Sequence, residues 1–198
     1  MAGRPRTVSD ERLLDAVAVA IGKVGPAGLT LAHVAREAGV TTGALVQRFG
    51  SKRDLLLAFS RRGTDAYIAS AMAMYERAPD PVEGLIAAMS GLAEGDMTPS
   101  EFSYHLAYLN MEMADDELRE PLVAGRTRFR AMIAGFLADA ADAGLLRVPD
   151  VDALAEVLDA LWHGTQISWA LFRTGTRAQR LRAAVTTVLT PYRTTVAN

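Results

Sequence analysis

Glu101, His105, Glu112 and His163 are residues of this sequence whose types could carry a reaction, since carboxylates and imidazoles exchange protons and, when they converge, can hold a metal ion. Their context argues against that use. The chain has 3 His and no Cys, no His-Glu-x-x-His run, no nucleophile elbow and no glycine loop shaped to cradle a phosphate. No metal, cofactor or catalytic residue is therefore expected, and a small helical enzyme is the remotest reading. A second group is better arranged. If 42–49 is a helix, Thr42, Gly43, Ala44, Gln47 and Arg48 project away from Leu45 and Phe49. Gln47 offers adenine two hydrogen bonds, Arg48 suits guanine or a phosphate, Ala44 and the Thr42 methyl fit thymine methyls, and Gly43 lets the backbone approach.

Those side chains need a scaffold, and the residues around them supply one. Ala32, Val34, Ala35 and Ala38 form a helical apolar face that Gly39 ends, where a left-handed cap is wanted. Thr41 caps a short helix over 42–49, Gly50 stops it, and Ser51 with Asp54 opens the next as an acidic capping box. Upstream, Ser9 starts a helix whose Leu14, Val17, Ala18, Ile21 and Val24 make an apolar stripe, halted by Gly25-Pro26-Ala27-Gly28; Thr30 caps the helix after it. Two short helices joined by a tight glycine turn are the helix-turn-helix pattern, whose second helix enters the major groove of DNA.

Charge distribution agrees with this. The chain of 198 residues has a net charge of −2, but residues 1–63 hold 10 Lys and Arg against 5 Asp and Glu, while residues 64–198 hold 11 against 18. A basic end of net +5 on an acidic body of net −7 is aimed at phosphates. Arg4 and Arg6 sit in a Gly- and Pro-containing arm over 1–8 that can track the backbone or enter a minor groove. Thr30, Thr41 and Lys52 are further candidates for phosphate contact. No apolar run approaches the ~18 residues of a membrane span, and the first residues lack the apolar core of a signal peptide, so a cytoplasmic location is expected.

The residues Gly25 to Thr30, Val34-Ala35, Ala38-Gly39-Val40, Gly43, Leu45, Phe49, Ser51-Lys52 and Leu55-Leu56 resemble, in identity and spacing, the tetracycline-repressor (TetR) family of bacterial transcription regulators. The specific likeness covers about residues 9–60. It implies an all-α fold: a three-helix DNA-binding domain, then a helical ligand-binding and dimerisation domain. It further implies a repressor released from a palindromic operator by a small hydrophobic ligand. The family usually carries an aromatic after the Leu of its recognition helix and often a His two residues later; Val46 and Arg48 stand there in this chain.

Beyond the basic domain, placed at 9–52, the regulatory domain at 53–198 reads as helices. One is expected from Lys52 to Ala78, another from about Pro81 to Gly95, a third opening at Thr98-Pro99-Ser100-Glu101 with Phe102, Leu106, Leu109 and Met113 on one face, and a fourth from Asp115 to about Gly144. The last two, about Val151 to Phe172 and Thr176 to Val188, are the pair that forms a dimer bundle in the family. An apolar surface of that kind needs cover, and Leu161, Gly164, Ile167, Leu171 and Val185 are the expected interface of a homodimer. Arg53, Arg61 and Arg62 are expected on a solvated face. Met89, Phe102, His105, Tyr108, Met111, Phe129, Met132, Trp162, Gln166 and Trp169 are candidates for a ligand pocket, since Met and aromatic side chains suit an apolar guest. A ligand-independent DNA-binding or protein-interaction module shares the features of the first half and is the alternative reading.

Overall fold

The computed structural model describes residues 8–194, so Arg4 and Arg6 lie outside the described residues. Nine helices follow in order among them: α1 (Asp10–Gly28), α2 (Leu31–Ala38), α3 (Thr42–Phe49), α4 (Lys52–Tyr75), α5 (Pro81–Gly91), α6 (Pro99–Ala114), α7 (Asp116–Asp142), α8 (Val151–Phe172) and α9 (Arg177–Leu189). A short 3-10 turn (Thr190–Tyr192) and an isolated bridge between Leu146 and Arg193 complete the regular structure described. The architecture is all-α.

The helix starts are set by side chains that accept orphan backbone N–H groups, each worth about 1 kcal/mol. Ser9 accepts from Arg12 N, Thr30 from His33 N, Thr41 from Ala44 N, Asp80 from Val82 N and Glu83 N, and Asp150 from Ala153 N. Thr176 and Gln179 form a reciprocal capping box at α9. Ser51 accepts from Asp54 N, and its hydroxyl donates to the Asp54 carboxylate at 2.6 Å, so Asp54 meets the side chain of Ser51. Inside α1 the expected stop takes the form of a break at Gly25, with φ 69°, after which Pro26 carries the chain into a turn closed by Leu29 N donating to Pro26 O. A side chain at Gly25 would also collide with the Tyr104 ring, 2.9 Å from an ideal Cβ.

The described residues pack as two compact units, residues 8–62 with 100–122, and residues 63–99 with 123–194. The first is filled by Leu13, Leu14, Val17 and Ile21 of α1, Val34, Ala35 and Ala38 of α2, Leu45 of α3, Leu55 and Leu56 of α4, Tyr108 of α6 and Leu118 of α7. Packing therefore carries this unit past residue 52 and draws in a segment remote in sequence, because the start of α4, with α6 and the start of α7, covers the same core. In the second unit, Val82, Leu85, Ile86 and Met89 of α5 meet Phe129, Ile133, Phe136 and Leu137 of α7, Leu154 and Leu158 of α8, and Val185 and Leu189 of α9. Tyr75 stacks on Phe136 at 3.8 Å and donates its hydroxyl hydrogen to Asp139.

Several expectations need correction. Val185 is fully buried within its own chain, because Leu181, Val185 and Leu189 at one-turn spacing form the inward stripe of α9; it is a core residue and not a dimer contact. On α6 the buried residues are Phe102, Tyr108 and Glu112, and Met113 is exposed. Helix α4 ends at Tyr75 rather than Ala78, and α5 ends at Gly91 rather than Gly95. Arg53 and Arg61 are exposed as expected, while Arg62 is partly buried; Arg53 and Arg62 also pair with acidic groups.

Candidate functional site

Helix α3 is seated on the core through Leu45, with Phe49 one turn on packing beside it. Leu45 is fully buried and Phe49 partly so, while Thr42, Gly43, Ala44, Val46, Gln47 and Arg48 are all exposed. The turn that presents this face is fixed by Gly39 in the left-handed region (φ 69°), with Val40 N donating to Ala35 O at 2.9 Å. Thr41 accepts from Ala44 N at 3.1 Å and Thr30 from His33 N at 3.2 Å. Each hydroxyl keeps its own hydrogen to give to a phosphate. Lys52, partly buried, opens α4 immediately after the α3 stop. The structure thus brings Thr41, Thr42, Gly43, Ala44, Gln47, Arg48 and Lys52 onto α3 and its flanks, with Thr30 at the start of the adjoining α2.

Arg48 has an intramolecular partner that the sequence did not disclose. Its Nε donates to Asp10 at 2.6 Å, between side chains that are both about half exposed, and Asp10 holds the guanidinium pKa above its ordinary value. An exposed pair of this kind exchanges readily for a phosphate. Elsewhere in the first unit, Arg53 is clasped by Asp115 and Glu117, with bonds of 2.7 to 3.0 Å, fixing the start of α4 to the α6–α7 junction. Ser60 donates to the buried Glu112 carboxylate at 2.6 Å and shares a 2.8 Å hydrogen bond with the Tyr108 hydroxyl. Burial pushes Glu112 up to about 6, against the opposing pull of the Ser60 hydrogen bond.

The expected ligand residues do not gather in one unit. Phe102, His105, Tyr108 and Met111 belong to the first, where Tyr108 and Met111 join the core around Leu45. Met89, Phe129, Met132, Trp162, Gln166 and Trp169 belong to the second, and Met89 is core with no exposure. The candidate reactive groups separate likewise, Glu101, His105 and Glu112 from His163. Met and aromatic residues look alike in sequence whether they fill a core or line a cavity.

What the second unit does assemble is an aromatic and cationic cluster. The Trp162 ring lies 5.9 Å from Phe129, 6.4 Å from Tyr67 and 4.9 Å from His163, and its Nε1 donates to Met89 O at 3.1 Å. Gln166, buried one turn on, accepts from Arg177 Nη1 at 3.1 Å. The Arg177 guanidinium lies over the Trp169 ring at 5.7 Å, and that of Arg126 over Phe129 at 5.5 Å. Arg126 also pairs with the buried Asp159. Burial, with Arg126 adding to it, pushes His163 down to about 4, and burial lowers Arg177 from its ordinary value. Tyr67, Arg126 and Arg177 were missed by sequence reasoning. A separate open groove of about 690 Å³, lined by Met74, Arg77, Glu83, Ser90, Glu94 and Arg182 among others, contains none of the expected ligand residues.

On α8, Ile167 and Leu171 are 40% and 73% exposed, Phe172 is 69% exposed, Gly164 is exposed and Leu161 is partly buried. A shallow groove of about 390 Å³ runs between Leu161, Gly164 and Ser168 on this helix and Ala183 and Ala184 on α9.

Comparison with known proteins adds the following. The family model for bacterial regulatory proteins of the tetR family matches residues 13–66, and that for the BetI-type transcriptional repressor C-terminal region matches residues 81–191. The HTH-type transcriptional regulator BetI of Agrobacterium fabrum is 32% identical over 126 residues, 63% of this chain and 61% of that protein, so the chain spans less than two thirds of this relative. BetI of Rhizobium meliloti is 28% identical over 166 residues, 83% of this chain and 79% of that protein. A solved transcriptional regulator from Saccharomonospora viridis in complex with choline has the same fold, with a TM-score of 0.74 at 22% identity over 90% of this chain and 93% of that one. No helix among the described residues is long and apolar enough to cross a membrane.

Proposed function

Because the chain belongs to the TetR family of bacterial regulatory proteins and is a DNA-binding transcriptional regulator, we propose that it represses by occupying a palindromic operator as a homodimer and leaves when a small molecule binds its second unit. The observation that carries the DNA part is the exposed face of α3: a helix seated through Leu45 and Phe49, with every base-reading candidate turned outward. Gln47, Arg48, Ala44 and Thr42 face base edges, Gly43 allows close approach, and Thr30, Thr41 and Lys52 meet phosphates, as do Arg4 and Arg6. Exposed Ile167, Leu171 and Gly164, with Leu161 at their edge, form the dimer contact on α8.

The effector site is the cluster around Trp162, since it combines aromatic walls with buried polar groups that can orient a guest. Effector binding favours a subunit arrangement in which the two α3 helices no longer match the groove spacing, a coupling of about 1 to 3 kcal/mol. The choline seen in the regulator of Saccharomonospora viridis is a quaternary ammonium, which favours open aromatic faces. In this chain a guanidinium already lies over Phe129 and another over Trp169.

Selection from random duplexes with the purified protein tests the DNA reading. The expected product is an inverted repeat whose half-sites lie about one helical turn, ~34 Å, apart. Recovery of no common sequence, with retention governed only by salt, would leave a non-specific binder and refute the reading.

A further inference from the structure

Arg177 is a buried residue with no counter-ion among the described residues. It is 7% exposed, its Nη1 donates to the neutral Gln166 side chain, its plane rests over Trp169, and no carboxylate lies within ion-pair distance among the described residues. A buried charge elsewhere in the same unit is handled differently: Asp159, 4% exposed, is met by both Arg126 and Arg130. Arg177 is also the first residue of α9, a helix of 13 residues, where the dipole already makes the potential positive. A cation held there by an amide oxygen and a ring face costs stability, because burial of a charge is repaid only when it is paired.

From these observations we propose that Arg177 is the anchor of an effector carrying a carboxylate, the anion completing the pair that the fold leaves open. Gln166 fixes the guanidinium, and Trp162, one turn before Gln166 on the same face of α8, continues the site toward Tyr67 of α4, whose ring stands edge-on to Trp162 at 6.4 Å. Tyr67 is half exposed, so the edge of the cluster at Trp162 reaches solvent. A planar fork meets a carboxylate with two parallel bonds, and the aromatic faces take the apolar body behind it. The predicted class is an organic acid with an aromatic or aliphatic body. A quaternary ammonium would instead face a second positive charge. This assignment rests on the effector site being the cluster around Trp162.

The chain has 2 Trp, Trp162 and Trp169, and both are in this cluster, so tryptophan emission reports the site directly. Phenylacetate and octanoate, titrated into the full chain at constant ionic strength, are compared with phenylacetamide, octanamide and choline. At least one carboxylate is expected to give a saturable change at a concentration at least about tenfold below its own amide, since only the ion makes charge-assisted bonds. Choline is expected to give none. Arg177→Met, which keeps the length and apolar stem, is expected to erase the difference between acid and amide without lowering the melting temperature. Equal curves for acid and amide, saturation by choline, or no response to either acid would overturn the proposal. So would a melting temperature lowered by several degrees in Arg177→Met, which would make the arginine a structural clamp. Retention of operator DNA by the same preparation is scored separately. DNA binding without a carboxylate response refutes this assignment alone, whereas loss of specific DNA binding in both proteins refutes the functional reading beneath it.

Discussion

Gln47 and Arg48 are neighbours on α3 with different work to do. Gln47 is exposed, and an amide there distinguishes adenine from other bases, whereas a guanidinium placed on phosphate adds affinity to any sequence. Gln47→Ala is therefore expected to narrow the gap between a selected operator and a duplex changed at one base pair by about tenfold or more, with the salt dependence of binding unaltered. An unchanged gap, measured by anisotropy at fixed salt, would remove Gln47 from base reading. Val46, 45% exposed where the family usually has an aromatic, has no hydroxyl for a phosphate, so in the proposed reading the phosphate contact on this turn falls to Arg48, released from Asp10. A second residue-scale effect concerns acid. Glu112 is pushed up to about 6 in the folded chain, so the native state holds its proton to a higher pH than the unfolded chain does. Stability from this group is greatest below an unfolded pKa near 4.5 and falls as pH rises through about 6. Glu112→Gln, which does not titrate, is expected to gain roughly 1 to 2 kcal/mol on the parent above pH ~6 and to lose that advantage below pH ~4.5. Urea unfolding across that range checks it; a gap independent of pH would mean the carboxylate is not held up by burial.

At the scale of elements, α3 has Leu45 as its main anchor, with Phe49 packed partly buried beside it. Leu45→Ala removes its one fully buried side chain and is expected to cost about 2 to 5 kcal/mol of stability by the usual cavity arithmetic. The variant is also expected to bind DNA more weakly at every sequence, since the helix is no longer held in one place; normal stability by denaturation would show that α3 is seated otherwise. Much of this element structure was legible beforehand. Ser9, Thr30 and Thr41 announce helix starts because a short acceptor before an apolar repeat has little else to do, and each makes the expected bond. Gly39 was legible because a left-handed residue after a helix is a glycine by preference. What stayed hidden was the pairing of elements distant in sequence. Nothing local in Arg53 points to Asp115, or in Glu112 to Ser60, and an apolar stripe such as Leu181, Val185 and Leu189 does not say whether its cover is the same chain or another. Composition likewise finds Trp162 and Tyr108, but only tertiary packing assigns each to its unit.

For the whole molecule, the basic end and acidic remainder give a charge asymmetry suited to orienting one region toward DNA, yet affinity for a symmetric operator requires two copies. The α8 surface offers a place for the second copy. Ile167 is 40% exposed on this chain, so Ile167→Asp puts a charge at the proposed contact while leaving the core of each subunit filled. The decisive measurement compares the parent and Ile167→Asp for affinity toward the selected inverted repeat and toward one isolated half-site, with mass by sedimentation on the same samples. The account predicts a dimeric parent that prefers the full repeat by at least about 100-fold, and a folded monomeric variant that has lost nearly all of that preference, because covalently linked half-sites reward only linked readers. A variant that stays dimeric and keeps the preference would place the interface elsewhere. A parent that binds the half-site as tightly as the repeat would contradict the reading of this chain as a symmetric DNA-bound regulator.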